Sequence, residues 1–306
     1  MSPAAYWELR VAVGDDTAEG LTNFVWELGA LGVVEEQAPE SPAARLRAFF
    51  PATAPAAALE ASLRAYLDGL RSLGFAVAGE PSVAPVADED WASAWRAHFT
   101  PIPVGRRLVV APPWAVPEPD GRVIVTIEPG RAFGTGHHGS TRGCLERLEA
   151  LLERATPAAA LDLGTGSGIL AIAAARLGVR SILAIDTDPD AIAAARANAA
   201  ANGTSERVRC VLASVAELDV EPAALVMANL LTAAHLRLAP RYARFVAHGG
   251  TLILGGILEA EARDVADAVE RHGFTPGAVT ATDGWATLEL QREPSRDARA
   301  PLHDRA

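Results

Sequence analysis

The sequence predicts a doubly wound α/β domain with a mainly parallel sheet, preceded by a small ferredoxin-like α+β domain. Three observations carry this. From Arg107 onward, strand-like and helix-like segments alternate, the pattern that places helices on both faces of a parallel sheet. One of those strands, Ala159 to Leu163, runs straight into a glycine-rich turn that opens a helix. The first eighty residues instead read strand, helix, strand, strand, helix, strand, the ferredoxin-like order.

In the small domain, Tyr6 to Val13 alternate like a strand and Leu21 to Leu31 read as a helix. Val33 to Gln37 and Ala44 to Phe50 are two further strands, Pro55 to Leu73 a second helix, and Phe75 to Ala78 a closing strand. Residues 1–80 are thus expected to form a recognition domain. Residues 81–100 are expected to join it to the rest, with Pro81 to Pro85 as linker. Asp88 or Asp90 would cap a short docking helix carrying Trp91 and Trp95 on one face, four residues apart. Residues 101–292 form the larger domain, and 293–306, charged and Pro-containing, a disordered tail.

In the larger domain, Leu108 to Ala111, Val123 to Ile127, Ala159 to Leu163, Ser181 to Ile185, Val208 to Leu212, Ala223 to Ala228, Thr251 to Leu254 and Trp285 to Gln291 are expected strands. Helices are expected at Ser140 to Arg154, Gly168 to Leu177, Pro189 to Ala201 and Leu258 to Arg271. Asp188 caps the third of these helices, and Pro189 takes its first position, where a missing N–H costs nothing.

Composition narrows the function. Half of the residues are apolar, enough for a sizeable core, although the Ala-rich runs flanked by Arg and Glu read as surface helices. The formal net charge of -11 argues against direct binding of DNA or RNA, whose phosphates need Lys and Arg, and suits a basic protein partner. Cys144 and Cys210, the two cysteines, make neither a disulfide framework nor a zinc quartet, and read as small buried hydrophobes. Met1 to Arg10 lack a basic stretch leading into an apolar core, and no apolar segment reaches the length of a membrane span. A cytoplasmic monomer is expected.

The strongest motif is Asp162-Leu163-Gly164-Thr165-Gly166-Ser167-Gly168-Ile169. Glycines permit the tight turn and let a ligand approach the backbone, and the helix N-terminus offers N–H groups. A second strand ends at Asp186, about 20 residues on, where an acid holds ribose hydroxyls. A dinucleotide site wants its third glycine one residue later, at the position of Ile169. It also does not want Asp162, which would repel a pyrophosphate but favours a sulfonium or ammonium. No Gly-Lys-Ser/Thr follows, so a P-loop is excluded. The order Asp162, Gly164, Gly166, Gly168 resembles the class I methyltransferase motif, whose cofactor is S-adenosyl-L-methionine.

Two further segments join it. Glu128-Pro129-Gly130-Arg131-Ala132-Phe133-Gly134-Thr135-Gly136-His137-His138-Gly139-Ser140-Thr141 is a second glycine-rich loop before a helix, with Ser140 and Thr141 placed to cap it. His137-His138 lacks a supporting Cys or carboxylate set, so no metal is expected. Asn229 directly follows the apolar strand ending at Ala228, at the carboxyl edge of the sheet where ligands bind in this fold. Its side chain offers one acceptor and two donors, suited to receiving an amine N–H and aiming the nitrogen lone pair.

With these segments the chain resembles the ribosomal protein L11 methyltransferase family. The resemblance covers most of the sequence. It is most specific at Pro129 to His138, joined to Asp162 through Gly168 and to Ala228-Asn229-Leu230-Leu231. It implies an enzyme that methylates lysine side chains and an N-terminal amine of a large-subunit ribosomal protein, with the N-terminal domain presenting that substrate. It implies that Thr141, Gly164, Asp186 and Asn229 sit at S-adenosylmethionine. Asp162, Gly166, Gly168, Phe133 and Gly134 complete the expected cofactor set, and Asn229 is the expected catalytic residue. The alternatives are a lysine methyltransferase of another cytoplasmic protein, or a small-molecule or RNA methyltransferase on the same fold.

Overall fold

The computed structural model describes residues 6–13, 15–30, 32–37, 44–72, 75, 80–86, 99–129, 134–215 and 217–295. The chain divides into two units, Met1–Thr100 and Pro101–Ala306.

The first unit has the order β1 (Tyr6–Val13), α1 (Asp15–Glu27), β2 (Gly32–Gln37), β3 (Ala44–Pro51), α2 (Ala56–Ser72) and β4 (Ser82–Val86). Its four strands lie in the order β2-β3-β1-β4, every neighbouring pair antiparallel. Alternate strand residues Leu9, Val11, Leu46, Ala48 and Phe50 are buried with Leu21 and Val25 of α1. Leu59, Leu63 and Leu67 of α2, one turn apart, complete this core. The fourth strand of this sheet falls in the stretch that the sequence reading took as linker. Ser82 to Val86, read as linker, pairs with β1, Trp7 opposite Pro85. Proline suits this strand because β4 is at the sheet edge, where a missing N–H breaks no second ladder. Residues 76–78 of the expected strand and the expected Trp91–Trp95 helix lie outside the described residues.

In the second unit, β5 (Ile102–Val104), β6 (Leu108–Ala111) and β7 (Val123–Thr126) make a small sheet. There follow α3 (Gly139–Arg154), β8 (Ala159–Leu163), α4 (Ile169–Arg176), β9 (Ser181–Asp186), α5 (Pro189–Ala201), β10 (Val208–Leu212) and β11 (Ala223–Asn229). The chain closes with α6 (Thr232–Phe245), β12 (Val246–Leu258), α7 (Ala262–Glu270), β13 (Phe274–Thr282) and β14 (Trp285–Arg292). The large sheet runs β10-β9-β8-β11-β12-β14-β13. Only β14 is reversed. Strand residues alternate between two cores. Leu225 and Met227 face α3, α4 and α5; Val226 and Ala228 face α6 and α7.

Two expectations need correction here. The expected helix does not begin at Leu258, which is the last residue of β12; a single 3-10 turn, Glu259–Glu261, follows and α7 starts at Ala262. The Ala-rich α4 is no surface helix. Ile169 to Ala175 are all buried, since a helix of small side chains can be enclosed on every side. Strand β13 and helix α6, which the sequence did not mark, complete the wrapping.

The chain moves outward from β8 through β9 to β10, then returns to lay β11 on the other side of β8. The carboxyl ends of β8 and β11 therefore flank the switch point, where an open α/β sheet has its crevice.

Candidate functional site

Asp162 pairs with Met227 in the β8–β11 register, so Gly164 and Asn229, each two residues on, emerge side by side. The glycine loop is built on positive φ: 75° at Gly164, 53° at Gly166 and 84° at Gly168, values that side-chain-bearing residues adopt only at a cost. A Cβ on Gly164 would lie 2.3 Å from Leu230 Cδ2, so a side chain there would fill the crevice.

Asp162 is buried beneath this loop. Its Oδ2 accepts the Thr165 hydroxyl at 2.6 Å and the Ala171 N–H at 3.2 Å, while Oδ1 is buried with no hydrogen-bond partner among the described residues. Burial raises its pKa to about 6, against the opposing pull of those two donors. A carboxylate thus occupies the N-terminal turn of α4, the place a pyrophosphate would need. Asp186 ends β9 with Oδ2 accepting the Gly166 N–H at 2.9 Å and Oδ1 accepting the Asp188 N–H at 3.0 Å. The two bonds fix the carboxylate and leave each oxygen a further lone pair.

Gly134 and Gly136, with φ of 101° and 87°, end the second loop. The Ser167 hydroxyl donates to Gly134 O at 2.6 Å and joins the two loops. Phe133 lies outside the described residues. The cap of α3 is His138, not Ser140 or Thr141: its Nδ1 accepts the Ser140 N–H and lies 2.8 Å from Ser140 Oγ. A neutral imidazole nitrogen accepts as a capping oxygen does. This frees Thr141, fully buried, to face Asn229, whose Nδ2 donates to Thr141 Oγ1 at 3.3 Å. The other end of that amide, Oδ1, is buried with no partner among the described residues. An unpaired buried acceptor costs about 1–3 kcal/mol and calls for a donor from a ligand.

Residues that sequence reasoning passed over complete the surroundings. Gly255 and Gly256 of β12 lie against Asn229; added Cβ atoms would stand 3.1 and 3.0 Å from its Oδ1. A glycine pair inside the apolar run Leu252 to Leu258 was the available signal, since glycine in a strand marks close approach of another group. Asn198 of α5 donates to Ser167 O at 2.9 Å and accepts the Glu128 N–H at 3.1 Å. One turn on, Asn202 binds both the N–H and the C=O of Thr126. Together they hold the start of the second loop to the first. Reversal of β14 brings Trp285 to the same edge, its ring 4.6 Å from that of His138. No group of three or more His, Cys, Asp or Glu suited to a metal ion is found among the described residues.

The strand order, with one reversed strand set between the last two, and the acid-bearing glycine loop at the switch point define a class I S-adenosylmethionine-dependent methyltransferase. The residues fit that cofactor: glycines leave the crevice clear, and the buried acid suits a cation. Residues 5–293 match the family profile of ribosomal protein L11 methyltransferase (PrmA). The chain is 35% identical to the ribosomal protein L11 methyltransferase of Trichlorobacter lovleyi, over 95% of this chain and 99% of that one. It is 41% identical to the enzyme of the same name from Geobacter sulfurreducens, over 89% and 93%. A crystal structure of ribosomal protein L11 methylase from Lactobacillus delbrueckii subsp. bulgaricus superposes with a TM-score of 0.57 at 32% identity, covering 64% of this chain and all of that one. The chain belongs to the ribosomal protein L11 methyltransferase family.

Proposed function

We propose that the protein transfers methyl groups from S-adenosylmethionine to lysine side chains and the N-terminal amine of ribosomal protein L11, with Asn229 orienting the amine. The observation that carries this reading is the buried Oδ1 of Asn229 beside the glycine loop, unpaired among the described residues. The names of the relatives support the substrate, and the net charge of -11 suits a basic ribosomal partner.

Bound S-adenosylmethionine supplies an electrophilic methyl group on a sulfonium. The protein's share is positioning and desolvation. Asp186, held by two backbone N–H groups, presents lone pairs to ribose hydroxyls. The backbone of Gly164, Gly166 and Gly168 lines the crevice, Gly134 borders it, and Asp162 balances positive charge from below. Thr141 fixes one end of the Asn229 amide so that Oδ1 receives an N–H of the incoming amine and aims its lone pair. A free lysine has a pKa near 10.4, so presenting it neutral at pH 7 costs about 5 kcal/mol. Apolar surroundings at the partly buried Leu230 lower that cost by disfavouring the ammonium. The proton leaves to water, and orientation supplies the rate. The N-terminal unit is assigned to substrate recognition.

Asn229→Ala tests the reading. Binding of S-adenosylhomocysteine is expected to stay within about threefold while methyl transfer to L11 falls by about 10²-fold, the scale of a lost orienting contact. Full turnover by Asn229→Ala would sink the orienting role.

A further inference from the structure

We propose that His235 is a positioning residue for methyl transfer, holding the β12 backbone on which the Asn229–Leu230 turn rests. This rests on the orienting role of Asn229 and extends it to a group that touches neither cofactor nor amine.

His235 lies in the first turn of α6 and is fully buried. Its Nε2 is 2.8 Å from Gly255 O and its Nδ1 is 2.7 Å from the Tyr242 hydroxyl. A carbonyl only accepts, so Nε2 carries the hydrogen and donates; Nδ1 then accepts the hydroxyl of Tyr242. Tyr242, seven residues on and on the same face of α6, is also fully buried. Its bond fixes the tautomer that His235 needs. Burial lowers the His235 pKa to about 4, so the ring is neutral throughout the working range.

What His235 grips matters more than its burial. Gly255 O also accepts the Leu230 N–H at 3.1 Å. One carbonyl is thus held from two directions, by the residue that follows Asn229 and by the imidazole. The same Gly255 and the next residue, Gly256, leave little room for a Cβ beside Asn229 Oδ1. The Leu230 carbonyl closes over Gly256 as well, where an added Cβ would stand 2.4 Å from it. Moving Gly255 therefore moves the support of Asn229 directly. A core histidine serving stability alone needs no donor aimed at this carbonyl.

The test uses the full chain and L11 as acceptor, with single-turnover methyl transfer and S-adenosylhomocysteine binding measured side by side. His235→Leu keeps the volume and removes the donor; Tyr242→Phe keeps the ring and removes what fixes its tautomer. Both are expected to bind S-adenosylhomocysteine within about threefold of the parent. His235→Leu is expected to lose about tenfold or more in transfer rate, because small misplacement of an orienting group is costly, and Tyr242→Phe several-fold. In the Asn229→Ala background the His235→Leu loss should shrink below about twofold, as coupled residues are not additive. An undiminished rate in His235→Leu, or the same factor lost with and without Asn229, overturns the proposal. If His235→Leu fails to fold, Tyr242→Phe decides, and an undiminished rate there overturns it. A fully active Asn229→Ala would instead show that the orienting reading itself had failed.

Discussion

Two buried titratable groups flank β11 and respond to acid with opposite sign, which makes the pH dependence of stability a sharp test. His235 has a pKa lowered by burial from 6.5 to about 4. Its contribution is fully present above pH 6.5 and is lost as pH falls towards 4, because the unfolded chain takes up the proton first. At 1.36 kcal/mol per pH unit this amounts to about 3 kcal/mol. Asp162 has a pKa raised by burial from 3.8 to about 6. Its contribution is fully present below pH 3.8 and is lost as pH rises through 6, again by about 3 kcal/mol. Between pH 4 and 6 the two effects offset each other in the parent protein. Asp162→Asn exposes the histidine effect: relative to the parent, stability should fall by about 3 kcal/mol from pH 6.5 to 4. His235→Leu exposes the acid effect and should gain by a similar amount over the same interval. Because the chain has two units, the quantity to follow is the opening free energy of the most protected β11 amides by hydrogen exchange. Variant and parent profiles running parallel across this interval would refute both the burial argument and the assigned signs.

Asp186→Ala leaves the Gly166 and Asp188 N–H groups without their carboxylate. Loss of a charged hydrogen bond to the cofactor, about 1.5–3 kcal/mol, should weaken S-adenosylhomocysteine binding by about 10- to 10²-fold in calorimetry; a dissociation constant within about twofold would contradict the ribose assignment. Asn198→Ala leaves the buried Ser167 O and the part-buried Glu128 N–H without their partner. At about 1–3 kcal/mol for the buried acceptor and less for the part-buried donor, the expected loss is roughly 1–4 kcal/mol of stability, with weaker cofactor binding because both loops lose their shared strut. A variant with parent-like melting and binding would show that the strut is dispensable.

The legible parts of this site were those that sequence writes locally. Asp162 to Gly168, Asp186 and Asn229 each sit at the end of a strongly apolar strand, and the turn chemistry after it is dictated within a few residues. What long-range packing decides was not legible. The edge strand Ser82 to Val86 carries two prolines' worth of loop signal from Pro81 and Pro85, and only its place beside β1 reveals that one neighbour suffices. Strand β13 runs Phe-Thr-Pro-Gly at its start and is largely exposed, so it has neither apolar periodicity nor a clean boundary. Helix α6 contains Pro240 and alternates Ala, His, Leu and Arg, which blurs its apolar face. His138 as a cap escaped because histidine accepts only as the unprotonated tautomer, which composition does not show. Asn198 and Gly255 act across 70 and 26 residues of chain, on Glu128 and Asn229 respectively, distances over which a single sequence carries no pairing signal.

Methyl transfer to ribosomal protein L11 stands or falls on one experiment. The most direct measurement incubates the purified chain with S-adenosylmethionine and unmethylated L11 and follows the intact mass of L11. Mass gains in multiples of one methylene, confined to L11 among large-subunit proteins offered together and slowed by Asp186→Ala at limiting S-adenosylmethionine, are the predicted result. An L11 mass that stays unchanged while the enzyme binds S-adenosylhomocysteine would contradict the account and leave only the methyltransferase fold standing.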